Sequence, residues 1–302
     1  MGAEPMIGTV VVPLDGSQLA EEALPYAVAI AERSSAPLHL LRVVPSDAGA
    51  AAQDEARAYL QGKARAFGDR VQVSTAVGDP AEQIIDRAAE MSDPLVVMTT
   101  HGRSGIGRWL YGSVADRVVR SAEAPVLLIR SGMARAGQAM VRSILVALDG
   151  SSYAEAALAY AVDLAKIFNA ELQLVRVAET AQVYAMLTPE SQTPAAAEAI
   201  NEVIDRLDDE AREYLATVAG RLQAEGLRVK TETLEGFPAE QLLAFEREAD
   251  TDLTVMATHG RSGIARLVFG SVAERILKLG QTPVMVIQPK GEGAAKPEGG
   301  AR

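Results

Sequence analysis

Two glycine–serine pairs, Gly112-Ser113 and Gly270-Ser271, mark the stretches of this chain best suited to chemistry. Nine residues separate Gly102 from Gly112, and nine separate Gly260 from Gly270. Each loop follows an apolar, largely β-branched run (Pro94–Thr100 and Asp252–Thr258) and leads into an amphipathic segment (Val114–Ala122 and Val272–Gly280). That order predicts a strand, a glycine loop and a helix. The first glycine lets the backbone turn sharply off the strand. The second opens the helix, where exposed N–H groups and the helix dipole favour an anion such as phosphate. The serine hydroxyl adds a donor. The loops are neither a Walker loop, since no GxxxxGK[ST] occurs, nor a dinucleotide fingerprint, since GRSGIG follows the fourth strand and not the first.

Other candidates lie at neighbouring strand ends. Asp15 and Asp149 close the first strand of each half, as a helix cap or as an acceptor for a ribose hydroxyl or base amino group. Their place opposite the glycine loop favours the acceptor. His101 and His259 precede the loop glycines and brace the loop, with no partner ligands nearby to make a metal site. Arg103 and Arg261 either meet a phosphate or face solvent, Trp109 packs within the loop, and His39 lies in a strand with no expected role. No nucleophile, base and acid assemble, so a binder is expected and not a catalyst.

Composition narrows the class. With 29 basic and 40 acidic residues the formal charge is −11, and no Lys/Arg-rich run offers a nucleic-acid footprint. Cysteine is absent, which removes disulfides and thiolate chemistry. The start MGAEPMIGTVVVPLDG lacks the basic region of a signal peptide, and Met6 breaks the myristoylation pattern. No apolar run approaches the roughly 20 residues of a membrane helix, so a soluble cytoplasmic protein is expected.

The elements that position these residues come twice. Val10–Ser17 aligns with Ile144–Ser151, Ala36–Val43 with Ala170–Val177, and Gly78–Gln83 with Gly236–Gln241. From Thr99 to Ser113, ten of fifteen positions match Ala257 to Ser271, and the second half carries 24 extra residues between Glu179 and about Asp205. A longer helix is favoured over a site-covering loop for that insertion. Strands are expected at 7–14, 37–44, 70–77 and 94–99, then at 142–148, 171–177, 227–234 and 252–257. Each half ends on a further strand (PVLLIR, PVMVIQ), and helices fill the intervals. Ser152 with Glu155 fits a capping box at the second half's first helix. Alternating elements with nearly continuous apolar strands predict two doubly wound α/β domains, each a parallel sheet covered on both faces. The expected divisions are domain 1–131, linker 132–141, domain 142–289 and a disordered tail 290–302.

These residues resemble the universal stress protein family in its tandem two-domain form, over about 7–130 and 142–288. Nucleotide-binding members carry G-x2-G-x9-G-[ST], whose last three fixed positions are Gly102, Gly112 and Ser113 here, and Gly260, Gly270 and Ser271. The resemblance implies five-stranded sheets in the order 3-2-1-4-5 that bind ATP, or AMP or ADP, with Mg²⁺ as a companion ion. It implies contacts to adenosine from Asp15 or Asp149, to adenine from the backbone at Val43 or Val177, and to phosphates from the glycines and serines. The loop positions Gly105 and Gly263 and the first helical residues Val114 and Val272 complete the implied sites. The signature's first glycine is Thr99 in one half and Ala257 in the other, so the second site is expected to bind tighter. The resemblance also implies pairing of the last strands, here within one chain as a pseudo-dimer, with a homodimer as a further option. The alternatives are a family member acting only through protein surfaces, or a slow ATPase.

Overall fold

The computed structural model describes residues 6–68, 70–100, 112–130, 140–180, 183, 193–258 and 270–288. The first half contributes β1 (Thr9–Pro13), β2 (Leu38–Val44), β3 (Val71–Val77), β4 (Pro94–Thr99) and β5 (Val126–Ile129). The second contributes β6 (Ser143–Ala147), β7 (Glu171–Ala178), β8 (Arg228–Glu235), β9 (Leu253–Ala257) and β10 (Val284–Ile287). Within each half the strands run parallel in the order implied by the resemblance, β3-β2-β1-β4-β5 and β8-β7-β6-β9-β10.

The two sheets are not separate. β5 and β10 pair antiparallel and join them into one ten-stranded sheet. At the centre of the seam Leu127 faces Met285, its own counterpart in the repeat, so an approximate two-fold axis passes through this pair. Alternation along the seam sends Leu127, Ile129, Met285 and Ile287 into the apolar layer on one face, and Val126, Leu128, Val284 and Val286 into the layer on the other. Both layers cross from one half into the other, so the halves share their cores.

Two hydrogen-bond sets bridge the seam reciprocally. Arg130 donates to the carbonyls of Leu277 (2.9 Å) and Lys278 (3.2 Å), and Gln288, its counterpart, donates to the carbonyl of Val119 (2.6 Å). Each contact satisfies carbonyls in the last turn of the helix that follows the other half's glycine loop, where no intrahelical donor remains.

Local differences between the halves have sequence causes. The first helix of the first half breaks into Gln18–Glu21 and Leu24–Ser34 because Pro25 cannot donate an N–H; Ala159 stands there in the second half and Ser152–Phe168 runs unbroken. The helix before the third strand has 31 residues in the second half (Pro194–Ala224) against 15 in the first (Ala50–Ala64). The insertion is therefore used largely as helix extension. Residues 131–139, which include most of the expected linker 132–141, and residues 289–302, which include the expected tail 290–302, lie outside the described residues.

His39 is buried in β2, 7% exposed, with Nε2 2.7 Å from Ser74 Oγ and Nδ1 without a partner. Burial depresses its pKa and Arg87 adds to that, while the neighbouring Gln72 and Glu90 oppose it. The unfolded chain, with an ordinary value near 6.5, then takes up the proton first. Stability contributed by His39 is full above that value and falls as pH drops through it towards the lower folded value. His39→Gln, which copies Gln173 of the second half, is expected to flatten the pH dependence of the urea midpoint between about 7 and 5. An unchanged slope would refute this account.

Candidate nucleotide-binding sites

Asp149 is held by its own turn. Its Oδ1 accepts from the N–H (2.9 Å) and the hydroxyl (2.6 Å) of Ser151, across Gly150 at φ +82°. Asp15 repeats this with the N–H of Ser17 (2.9 Å) across Gly16 at φ +87°. The aspartates do not cap the helices. Ser17 and Ser151 do, accepting from the N–H of Ala20 and of Ala154. This also corrects the expected Ser152–Glu155 capping box: the cap lies one residue earlier, and it is shared by both halves.

The glycine loops are closed at their bases. Gly112 donates its N–H to the Thr100 carbonyl (2.6 Å) and Gly270 to that of Thr258 (2.9 Å), while Thr100 and Thr258 are bound to Ile129 and Ile287. Gly112 and Gly270 then serve as N-caps of the helices Ser113–Ser121 and Ser271–Leu279, with no side chain capping either. First-turn N–H groups there have no side-chain partner from the cap residue, the arrangement an anion needs.

In the second half these elements enclose a cavity of about 300 Å³ beyond the carboxyl ends of β6, β7 and β9. Asp149 and Val177 line one side, Ala257 and Thr258 the middle, and Gly270, Ser271 and Val272 the helix end. Val175, Pro238, Leu242 and Met256 give it an apolar floor, and Glu179 adds a second carboxylate. Six expected site residues, Asp149, Val177, Ala257, Gly270, Ser271 and Val272, thus meet in one place. In the first half Asp15, Val43, Thr99, Gly112, Ser113 and Val114 occupy the same positions on the corresponding elements. His101, Gly102, Arg103, Gly105, His259, Gly260, Arg261 and Gly263 lie outside the described residues, as does Trp109. Because the halves meet antiparallel, the carboxyl ends of their strands, with the candidate residues beyond them, point in opposite directions.

Sequence reasoning missed the side chains behind the aspartate turns. The Arg42 guanidinium carbon lies 4.8 Å above the Tyr59 ring, and Arg176 4.9 Å above Tyr214. Tyr59 donates to Glu21 (2.7 Å), which also takes Lys63 (2.5 Å). Tyr214 donates to Glu155 (2.6 Å), which also takes Arg221 (3.3 Å). Burial and the neighbouring carboxylate push both phenols well above their ordinary range, so they remain donors. Burial raises the Glu21 carboxyl, but hydrogen bonds from Lys63 and Tyr59 outweigh it and leave the carboxyl below its usual value. The available signal was that Arg42 and Arg176, and Glu21 and Glu155, recur at one offset, and that the cations Lys63 and Arg221 recur at the second.

Among the described residues no helix is long and apolar enough to cross a membrane, and no group of three or more His, Asp or Glu is placed to hold a metal ion. The universal stress protein family model matches residues 6–130 and again 140–288, nearly the whole chain. The chain belongs to the universal stress protein family. Its relatives include a universal stress protein of Methanocaldococcus jannaschii, 33% identical over 54% of this chain and 92% of its own length. A tandem-length one from Mycobacterium tuberculosis is 29% identical over 92% of this chain and 95% of its own. Among solved structures, a universal stress protein from Archaeoglobus fulgidus superposes with a TM-score of 0.65 at 22% identity, covering 93% of this chain and 98% of that one. That likeness extends to the tandem fold as a whole.

Proposed function

We propose that this universal stress protein binds adenine nucleotide, ATP or its AMP and ADP relatives, at two sites and acts as a regulatory stress-response protein without rapid turnover. The observation that carries the reading is the convergence of Asp149, Val177, Ala257, Gly270 and Ser271 on one cavity of about 300 Å³, the lower end of the range for small-molecule sites. The apolar floor suits a base, the aspartate an adenosine polar group, and the helix N-terminus the phosphates. The described cavity brings Asp149 and Glu179 as carboxylates. Mg²⁺ is bound by one or two carboxylates plus substrate phosphates, so it would arrive with the nucleotide. Residues 1–131 and 142–289 are the two domains in this reading, 132–141 their linker, in a pseudo-dimer closed through β5 and β10.

The two sites differ at the strand end that leads into each loop. Ala257 lines the second cavity, whereas β-branched Thr99 fills the equivalent place in the first, so the second site is the tighter. Titration of ATP into the Gly112→Asp and Gly270→Asp variants tests both statements. Each variant should retain one site, and the one keeping Gly270 should bind more tightly. A parent that binds no ATP refutes the function, and equal affinities refute the ranking.

A further inference from the structure

The Arg–Tyr–Glu chain behind each aspartate turn is built twice, from residues that the binding reading does not use. Along β2 and β7 side chains alternate, so Val43 and Val177 pack with the apolar layer on the cavity face while Arg42 and Arg176 share the other face with Tyr59 and Tyr214. Between the two faces runs the Asp-Gly-Ser turn. A Cβ placed on Gly16 would stand 3.1 Å from Arg42 Nη2 and 3.2 Å from its Cζ, and one on Gly150 would stand 3.5 Å from Arg176 Nη1. Each guanidinium therefore lies against the glycine of the turn and over the tyrosine ring. Glycine is called for at both positions by its positive φ, and at Gly16 the close guanidinium adds to that, whereas at Gly150 a Cβ would meet Arg176 at ordinary contact distance.

We propose that Arg42 and Arg176 are positioning residues: wedged between the tyrosine ring and the glycine turn, they fix the turns that present Asp15 and Asp149 to bound nucleotide. This rests on the nucleotide reading above. A guanidinium is planar and can stack on two surfaces at once, which an ammonium cannot. The ring beneath it is tied down in turn, since Tyr59 and Tyr214 spend their hydroxyls on Glu21 and Glu155, and these are held by Lys63 and Arg221. The two halves reach the same arrangement with different end cations, lysine in one and arginine in the other. Without the wedge, a turn containing a glycine at φ +82° regains the backbone freedom that glycine allows, and Asp149 loses its defined placement.

The test is a double-mutant cycle on the second site, in the full chain carrying Gly112→Asp so that one site is read. ATP affinity is measured calorimetrically for this parent, for Arg176→Met, for Asp149→Asn and for the combination. Arg176→Met keeps a stem to pack on Tyr214 and removes the flat cation. It is expected to weaken ATP about tenfold in the Asp149 background and less than about twofold in the Asp149→Asn background, because the arginine acts through the aspartate. Arg176→Lys, a milder change, should weaken ATP by about threefold with an unchanged melting temperature. A loss below twofold in both arginine variants overturns the inference and leaves the nucleotide reading standing. An equal loss with and without the aspartate shows a general effect on the fold and overturns it also. No ATP binding by the parent overturns the nucleotide reading of this site and the inference with it.

Discussion

Gly270→Asp is expected to stabilise the fold slightly while removing nucleotide from the second site. Gly270 sits at φ −60° and ψ 143°, extended backbone open to any residue, and it caps the helix Ser271–Leu279 without a side chain. Aspartate is among the preferred N-caps and exceeds glycine there by a few tenths of a kcal/mol, with a favourable dipole interaction of about 0.3–1 kcal/mol added. The same carboxylate occupies the N–H groups a phosphate would use and sets a negative charge against it. Two unit charges about 4 Å apart repel by roughly 4 kcal/mol at an effective dielectric of 20, so a loss of about 100-fold or more in ATP affinity is the conservative expectation. Urea unfolding and calorimetry read the two effects separately. Opposite signs identify an anion site; a variant that loses stability and affinity together would mean that Gly270 serves the fold alone.

The second large effect lies at the seam. Leu127 is 1% exposed and faces Met285, which is fully buried, at the centre of the β5–β10 pair. Leu127→Asp removes a buried side chain, which by itself costs about 2–5 kcal/mol, and leaves a carboxylate without a partner in an apolar layer. Destabilisation of about 4 kcal/mol or more is expected, in the range reserved for buried charges and cavities. Leu127→Met copies the counterpart residue and should cost less than about 1.5 kcal/mol. Since both apolar layers cross the seam, the parent should unfold in one transition, and the aspartate variant should separate the halves into two. A Leu127→Asp protein as stable as the parent would show that the halves are held together elsewhere.

Much of the architecture was legible in the sequence because it is written in near neighbours. Val10 to Val12 and Leu95 to Val97 are fully buried, as continuous apolar runs covered on both faces must be. The amphipathic period of 113–121 and 271–279, opened by Gly-Ser, located the start of both helices to the residue. The capping serine was misassigned by one position in the second half and overlooked in the first, because Ser151 and Ser152 are equally good caps by type. Only the turn geometry, with Asp149 bound to Ser151, separates them. Tyr59 and Tyr214 were invisible as a pair for another reason. They fall at neither repeat offset, since Tyr59 stands four residues before Lys63 on its helix and Tyr214 seven before Arg221, although these two cations do keep the larger offset. The carboxylate and arginine that hold them do keep the offset, and they could have been found by asking what faces them.

Local periodicity and the duplicated motif therefore determined the strands, the helices, their order along the chain and the family, since these depend on residues a few positions apart. Tertiary structure alone decided that the two sheets merge through Leu127 and Met285, that the strands of the two halves end in opposite directions, and that Arg42 and Arg176 sit between an aspartate turn and a tyrosine. Those contacts join residues 17 to 158 positions apart, and they are set by where strands of both halves come to lie and by how far each helix runs before it turns back. Nothing in the pattern of neighbours along the chain carries that information.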